Sequence, residues 1–171
     1  SKSDVVDVFN EKVAEIRGDE IDHVLLKKGS TPEAPILTTG EFLHLFESHA
    51  PPTLIRAFEQ HFMIGALGQN HFLIFKLQSY ENAFAGMLMW EKDIARDIGP
   101  LFAIAPMVKS IAVTSVFNDV TVKNKDARML ELTDASTTAS LIYSFLDNDT
   151  LIVTDSLQSL QILIDRLTRE K

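Results

Sequence analysis

The spacing of apolar positions changes several times along this chain, and each change marks an element. In the first twenty residues Val5, Val6, Phe9, Val13 and Ile16 fit a helical face, while Val13, Ile16 and the residues after Gly18 also suit the start of a strand. From Glu20 to Lys27 the side chains alternate, Ile21, His23 and Leu25 against Asp22, Val24 and Leu26, which predicts a strand that Gly29, Ser30, Thr31 and Pro32 end. Thr38 with Glu41 three residues on is a capping-box pattern, and Phe42, Leu43 and Phe46 follow at helical spacing. That helix must stop before Pro51, and Pro52 opens a second short one carrying Leu54, Ile55 and Phe58.

Two apolar runs, 62–67 and 71–77, flank Gly68-Gln69-Asn70 and predict a hairpin. Ser79 caps the helix after it, where Tyr80, Phe84, Met87, Ile94 and Ile98 fall on one stripe until Gly99-Pro100 ends the pattern. Met89 and Trp90 lie off that stripe, as a second buried face or as an exposed partner patch. Strands are predicted at 117–122, 128–132, 141–146 and 150–154, with Asp147-Asn148-Asp149 as a turn. Asp155 with Gln158 forms the capping pair of a final helix striped by Leu157, Leu160, Ile164 and Leu167.

This order predicts an α+β fold, a mostly antiparallel sheet of about six or seven strands with the two longer helices packed on one face. Hairpin-then-helix occurs at 62–98 and again at 141–167, so an internal ββα repeat is one reading of the halves and chance recurrence of a common unit is the other. A true repeat would place a groove at the seam between the halves. Residues 1–19 read as an N-terminal segment or linker and residues 20–171 as a single α+β domain, a division that the length of 171 residues suits.

Composition narrows the function classes. Hydrophobic residues make up 46% and charged residues 23%, a globular balance. The net charge of −8 repels phosphate backbones, so no nucleic-acid partner is expected, and Lys123, Lys125 and Arg128 read as a solvated strand edge or turn. The absence of cysteine excludes disulfides, thiolate metal sites and cysteine nucleophiles. The stretch 101–117 is interrupted by Pro106 and Lys109 and falls short of the roughly 30 Å of hydrocarbon that a membrane span must cross.

Candidate chemistry is sparse. His44 and His49 are five apart around Glu47, where a helical zinc pair needs a spacing of four. His61 and His71 open the two strands of one hairpin and are close across its ladder if the loop permits. Asp147 and Asp149 lack the further oxygen ligands that calcium needs. Neither a serine-nucleophile elbow nor a phosphate-cradling glycine loop is present. No catalytic, cofactor-binding or metal-ligating residue is therefore assigned, and no cofactor is expected. Eleven phenylalanines and five methionines would serve an apolar-ligand carrier only if they lined an internal cavity.

The strings Phe72-Leu-Ile-Phe-Lys76, Ser79-Tyr-Glu-Asn-Ala-Phe-Ala-Gly-Met-Leu88 with Trp90-Glu-Lys92, Val122-Lys-Asn-Lys-Asp-Ala-Arg128, and Tyr143-Ser-Phe-Leu-Asp147 with Thr150-Leu-Ile-Val-Thr154 together carry a likeness. They resemble a family of uncharacterised membrane-anchored proteins of candidate-phyla bacteria, in which a proline-rich part and one transmembrane helix precede such a domain. The resemblance runs from about Asp19 to Lys171 and brings no catalytic residues with it. It implies a location on the extracytoplasmic face of a bacterial membrane, with membrane contact only through a segment absent from this chain. The expected function is a non-catalytic binding or assembly module that meets a protein partner or itself. The rival is a hydrolase or transferase drawing on His44, Glu47, His49, His61 and His71.

Overall fold

A computed structural model describes residues 1–16, 20–112 and 114–169. The expected α+β class holds, and the strands form one seven-stranded antiparallel sheet. In chain order the strands are β1 (Ile21–Val24), β2 (Phe58–Leu67), β3 (Asn70–Leu77), β4 (Asn118–Val122), β5 (Lys125–Thr133), β6 (Thr138–Asp147) and β7 (Thr150–Thr154). Across the sheet they run β1-β2-β3-β7-β6-β5-β4, so β1 and β4 are the edges and the β3–β7 pair joins the two halves. The helices are α1 (Lys2–Val13), α2 (Thr39–Leu45), α3 (Pro52–Ala57), α4 (Tyr80–Trp90), α5 (Ile94–Ile98) and α6 (Leu157–Arg169). The segment after α5 continues as 3-10 turns at Gly99–Leu101 and Ala105–Ser110.

The hairpin turns follow backbone chemistry. Gly68 at φ 59° opens the two-residue turn between β2 and β3, where the first central residue of such a turn needs a positive φ. Lys123 and Asn124 at φ 52° and 62° make the β4–β5 turn, in which both central residues are left-handed. Asp147 accepts the Asp149 backbone N–H at 3.0 Å, an Asx turn, so this pair serves the chain reversal between β6 and β7.

Strand alternation sends successive side chains to opposite faces, and both faces are covered. On one face Leu73, Phe75, Leu141, Leu151 and Val153 pack with Phe9 of α1, Phe42 of α2, Leu54 of α3, Met87 and Trp90 of α4 and Ile94 of α5. On the other, Phe72, Ile74, Ile142 and Ile152 pack with Leu160, Leu163 and Ile164 of α6. The two longer helices of the expected layout, α4 and α6, therefore lie on opposite faces rather than together. The physical reason is that β3, β6 and β7 are apolar at consecutive positions, so each presents two hydrophobic faces and a helix is needed on each. This placement also leaves the ββα repeat unsupported, since its two helices sit on different sides of the sheet.

Local expectations change in instructive places. Residues 2–13 form a helix whose Phe9 is fully buried, with its ring edge-on to His71 at 4.9 Å. The helical stripe predicted from Tyr80 to Ile98 is broken by a turn between Trp90 and Ile94. Helix α4 buries the face of Ala83, Gly86, Met87 and Trp90, so Met89 is exposed and Tyr80 and Phe84 stay half-exposed. Phe58 begins β2 instead of closing α3. Ser156, not Asp155, caps α6, its hydroxyl accepting the Ser159 N–H at 3.0 Å. Asp155 turns inward to accept the Ala103 N–H at 2.8 Å and that of His71 at 3.3 Å.

Gly65 marks the closest backbone approach in the sheet: a Cβ there would lie 2.2 Å from the Asp22 carbonyl oxygen and 2.7 Å from the Phe72 ring. Gly65→Ala is expected to destabilise the fold by about 2–3 kcal/mol, the range for forced overpacking. Gly40→Ala, whose new methyl meets only Ile55 at 4.0 Å within α2, should instead be neutral or stabilising. Urea unfolding of the two variants checks both signs.

Candidate functional site

One open concavity lies where α4 leaves the outer half of the sheet uncovered. It encloses about 800 Å³ between Tyr80, Phe84 and Leu88 on the helix and the β4–β5–β6 surface, and opens at the hairpin ends near Asn124 and Asn148. Alternation decides which side chains form its floor. Val122 and Ala127 pack toward α6, so Asp119, Thr121, Asp126 and Arg128 rise on the opposite face, with Tyr143 and Phe145 beside them. Tyr80, Phe84 and Phe145 form an aromatic cluster: the Tyr80 and Phe145 centroids are 5.2 Å apart edge-to-face, and those of Phe84 and Phe145 are 5.9 Å apart.

One end of the floor is locked by an ion-pair network. The guanidinium of Arg128 donates twice to Glu91, Nε to Oε2 and Nη2 to Oε1, both at 2.8 Å, and Nη1 donates to Asp119 at 2.9 Å. The Tyr143 hydroxyl donates to Glu91 Oε2 at 2.5 Å. Its hydrogen bonds to Glu91 hold the Arg128 guanidinium protonated well above its ordinary range. Burial, followed by the Glu91 carboxylate, pushes the Tyr143 phenol upward, so it remains a neutral donor. The sequence places Arg128 in a solvated basic run; it is instead bound to Glu91, just past the end of α4 and far from it in sequence. Lys123 does remain at the surface, in an ion pair with Asp165 at 3.4 Å.

The histidines and their neighbouring carboxylates do not converge here. His44 and Glu47 are exposed at the end of α2, and Glu47 takes the left-handed position, φ 51°, of that helix's C-terminal turn. His61 and His71 are not across from each other: His71 faces Ala66, whereas Phe62, next to His61, faces Phe75. The two-residue turn makes the ladder longer than the spacing suggested and carries them toward opposite ends. His71 Nδ1 donates to the Leu101 carbonyl at 2.6 Å, so its ring pins the segment after α5. Among the described residues no group of His, Asp and Glu could hold a metal ion.

The His49 ring is paired with a buried carboxylate. Asp97 accepts from the His49 backbone N–H at 2.6 Å, from His49 Nδ1 at 2.9 Å and from Trp90 Nε1 at 2.8 Å. Its side chain is only 5% exposed, against 70% for His49. A carboxylate taken out of water is compensated by these donors, and it fixes the orientation of the histidine ring. A different depression, between α1, α2 and the chain after β1, is apolar and about 1120 Å³, but it is open and lined by Val5, Val8, Leu25, Leu37 and Leu45. No phenylalanine or methionine lines it, so the internal cavity that an apolar-ligand carrier was expected to need is not formed there.

No protein-family model, no curated protein and no solved structure matches this chain.

The network and the dyad each generate a test. Glu91→Gln should cost about 2 kcal/mol, since it leaves a partly buried guanidinium short of charge compensation. The double variant Glu91→Leu with Arg128→Met should cost less than the sum of the two single changes, as read in a double-mutant cycle. For His49, hydrogen bonding to Asp97 raises the pKa above the ordinary value of about 6.5. Its stabilising contribution is thus fully present below the unfolded pKa and fades as pH rises through the raised folded value. Wild type should therefore exceed His49→Gln in stability near about pH 5.5 and converge on it in mildly alkaline buffer, with NMR titration of the ring giving the midpoint.

Proposed function

We propose that this domain is a non-catalytic binding module that holds an extended segment of a protein partner in the groove between α4 and strands β4 to β6. The observation that carries this reading is the pairing of half-exposed aromatic side chains, Phe84 at 46% and Tyr80 at 36%, with a groove floor stiffened by the Glu91–Arg128–Tyr143 network. Aromatic rings offer large contact area at small entropic cost, and a pre-ordered floor reduces what the partner must order on binding. The groove also runs alongside β4, an edge strand whose residues 118–122 make no backbone hydrogen bond beyond β5 among the described residues. An extended segment can therefore add to the edge while placing alternate side chains over the floor.

We further propose an extracytoplasmic location on a membrane-anchored chain, for which the resemblance of the strings quoted above is the support. The hydrolase or transferase reading draws on one observation, the orientation of His49 by buried Asp97. It needs a nucleophile or a second acid in reach of His49 Nε2, and no hydrogen bond to that atom is made among the described residues.

Selection of a randomised 12-residue peptide library on the purified domain tests the binding reading. Recovered peptides should lose affinity at least about tenfold on Phe84→Ala, the cost of a central aromatic contact, and keep it on His49→Ala and Leu25→Ser. Peptides insensitive to Phe84→Ala, or a wild-type mass showing the groove occupied by a second copy, would overturn it.

A further inference from the structure

Resting on the proposed groove, we infer that its occupant is a basic segment, an extended peptide whose arginine or lysine side chain sits over the Tyr80–Phe84–Phe145 cluster beside the floor carboxylates. Charge complementarity carries the argument. The charged groups around the groove are Asp119, Lys125, Asp126, Arg128 and Asp147 from the strands, with Glu91 just past α4 bonded to Arg128. Lys125 lines the concavity as well, although it shares the strand parity of Ala127, which packs toward α6. Four carboxylates thus face two cations, and the Arg128 guanidinium already donates to Glu91 and Asp119.

The floor is therefore net negative even with Arg128 fully engaged. Asp119 is 89% exposed, accepts from Arg128 through Oδ1, and keeps oxygen lone pairs for a second cation. Asp126 is exposed one strand further in, paired in register with Thr121. An acidic segment would meet repulsion from this floor and find Arg128 already taken. A neutral apolar segment could use the aromatic rings but would cover the carboxylates without replacing their water. A guanidinium or ammonium group satisfies both halves, meeting ring faces with its cationic plane or head and the carboxylates with its N–H donors. The overall charge of −8 favours the same approach at long range.

Sequencing the peptides selected on the wild-type domain, then measuring one of them by fluorescence anisotropy, tests this. Arginine and lysine should be enriched at alternate positions. Affinity should fall at least about tenfold between low salt and 0.5 M salt, where screening is near complete over a few ångströms, and by a similar factor on Asp126→Lys. Asp126 is exposed, so that variant should keep its fold, with circular dichroism as the check. Peptides that lose binding on Phe84→Ala, yet show no basic enrichment and no response to Asp126→Lys, overturn the charge assignment and leave the groove reading standing. Peptides indifferent to Phe84→Ala overturn both.

Discussion

Strands β3 and β7 meet antiparallel at the centre of the sheet, with Phe72 opposite Thr154, Leu73 opposite Val153 and Ile74 opposite Ile152. Each of these strands is buried on both sides, and this double burial organises the rest. A strand with one apolar face would have allowed a single helical layer and a solvated back. Here Leu73, Phe75, Leu151 and Val153 require cover from α1 to α5, while Phe72, Ile74 and Ile152 require α6. Burying such side chains is worth about 2 kcal/mol each, so leaving either face open would forfeit much of the stability of a domain this size.

The groove is a by-product of unequal cover. Helix α4 is anchored at its buried end by Met87 and Trp90 and lies tight against α3, where the Cα of Gly86 faces Leu54. Its opposite flank carries Tyr80, Phe84 and Leu88 out over β4 to β6, which no other described helix on that side covers. Glu91 at the end of the same helix reaches down to Arg128 and Tyr143 and fixes the distance between helix and sheet. The site is thereby built on rigid elements, with polar groups of the network satisfied by one another.

The hairpins were legible because their signals are local. Gly68 after an apolar run and the Asx turn at Asp147 each act within a few residues. Caps were legible to the same degree: Thr38 and Glu41 form the reciprocal pair their spacing predicts. Asp155 shows where this reasoning stops. Its spacing to Gln158 matches a cap, yet it turns inward to accept the N–H groups of Ala103 and His71, and Ser156 takes the capping role. Burial raises the pKa of that carboxyl while those donors oppose the shift, a balance that depends on neighbours distant in sequence.

What the sequence by itself determined is the α+β class, the order of most strands and helices after residue 20, and much of the turn and cap chemistry, since periodicity, glycine and proline act on nearby backbone. Only the tertiary structure decided which face each helix covers, because a strand apolar at every position carries no record of which side faces which helix. It alone decided that Trp90 is core and Phe84 is not, because the close approach of Gly86 to Leu54 of α3 turns the Ala83, Met87 and Trp90 face of the helix inward. It alone joined Arg128 to Glu91 and His49 to Asp97, since an ion pair or a hydrogen bond between distant positions exists only once packing has brought them within about 3 Å.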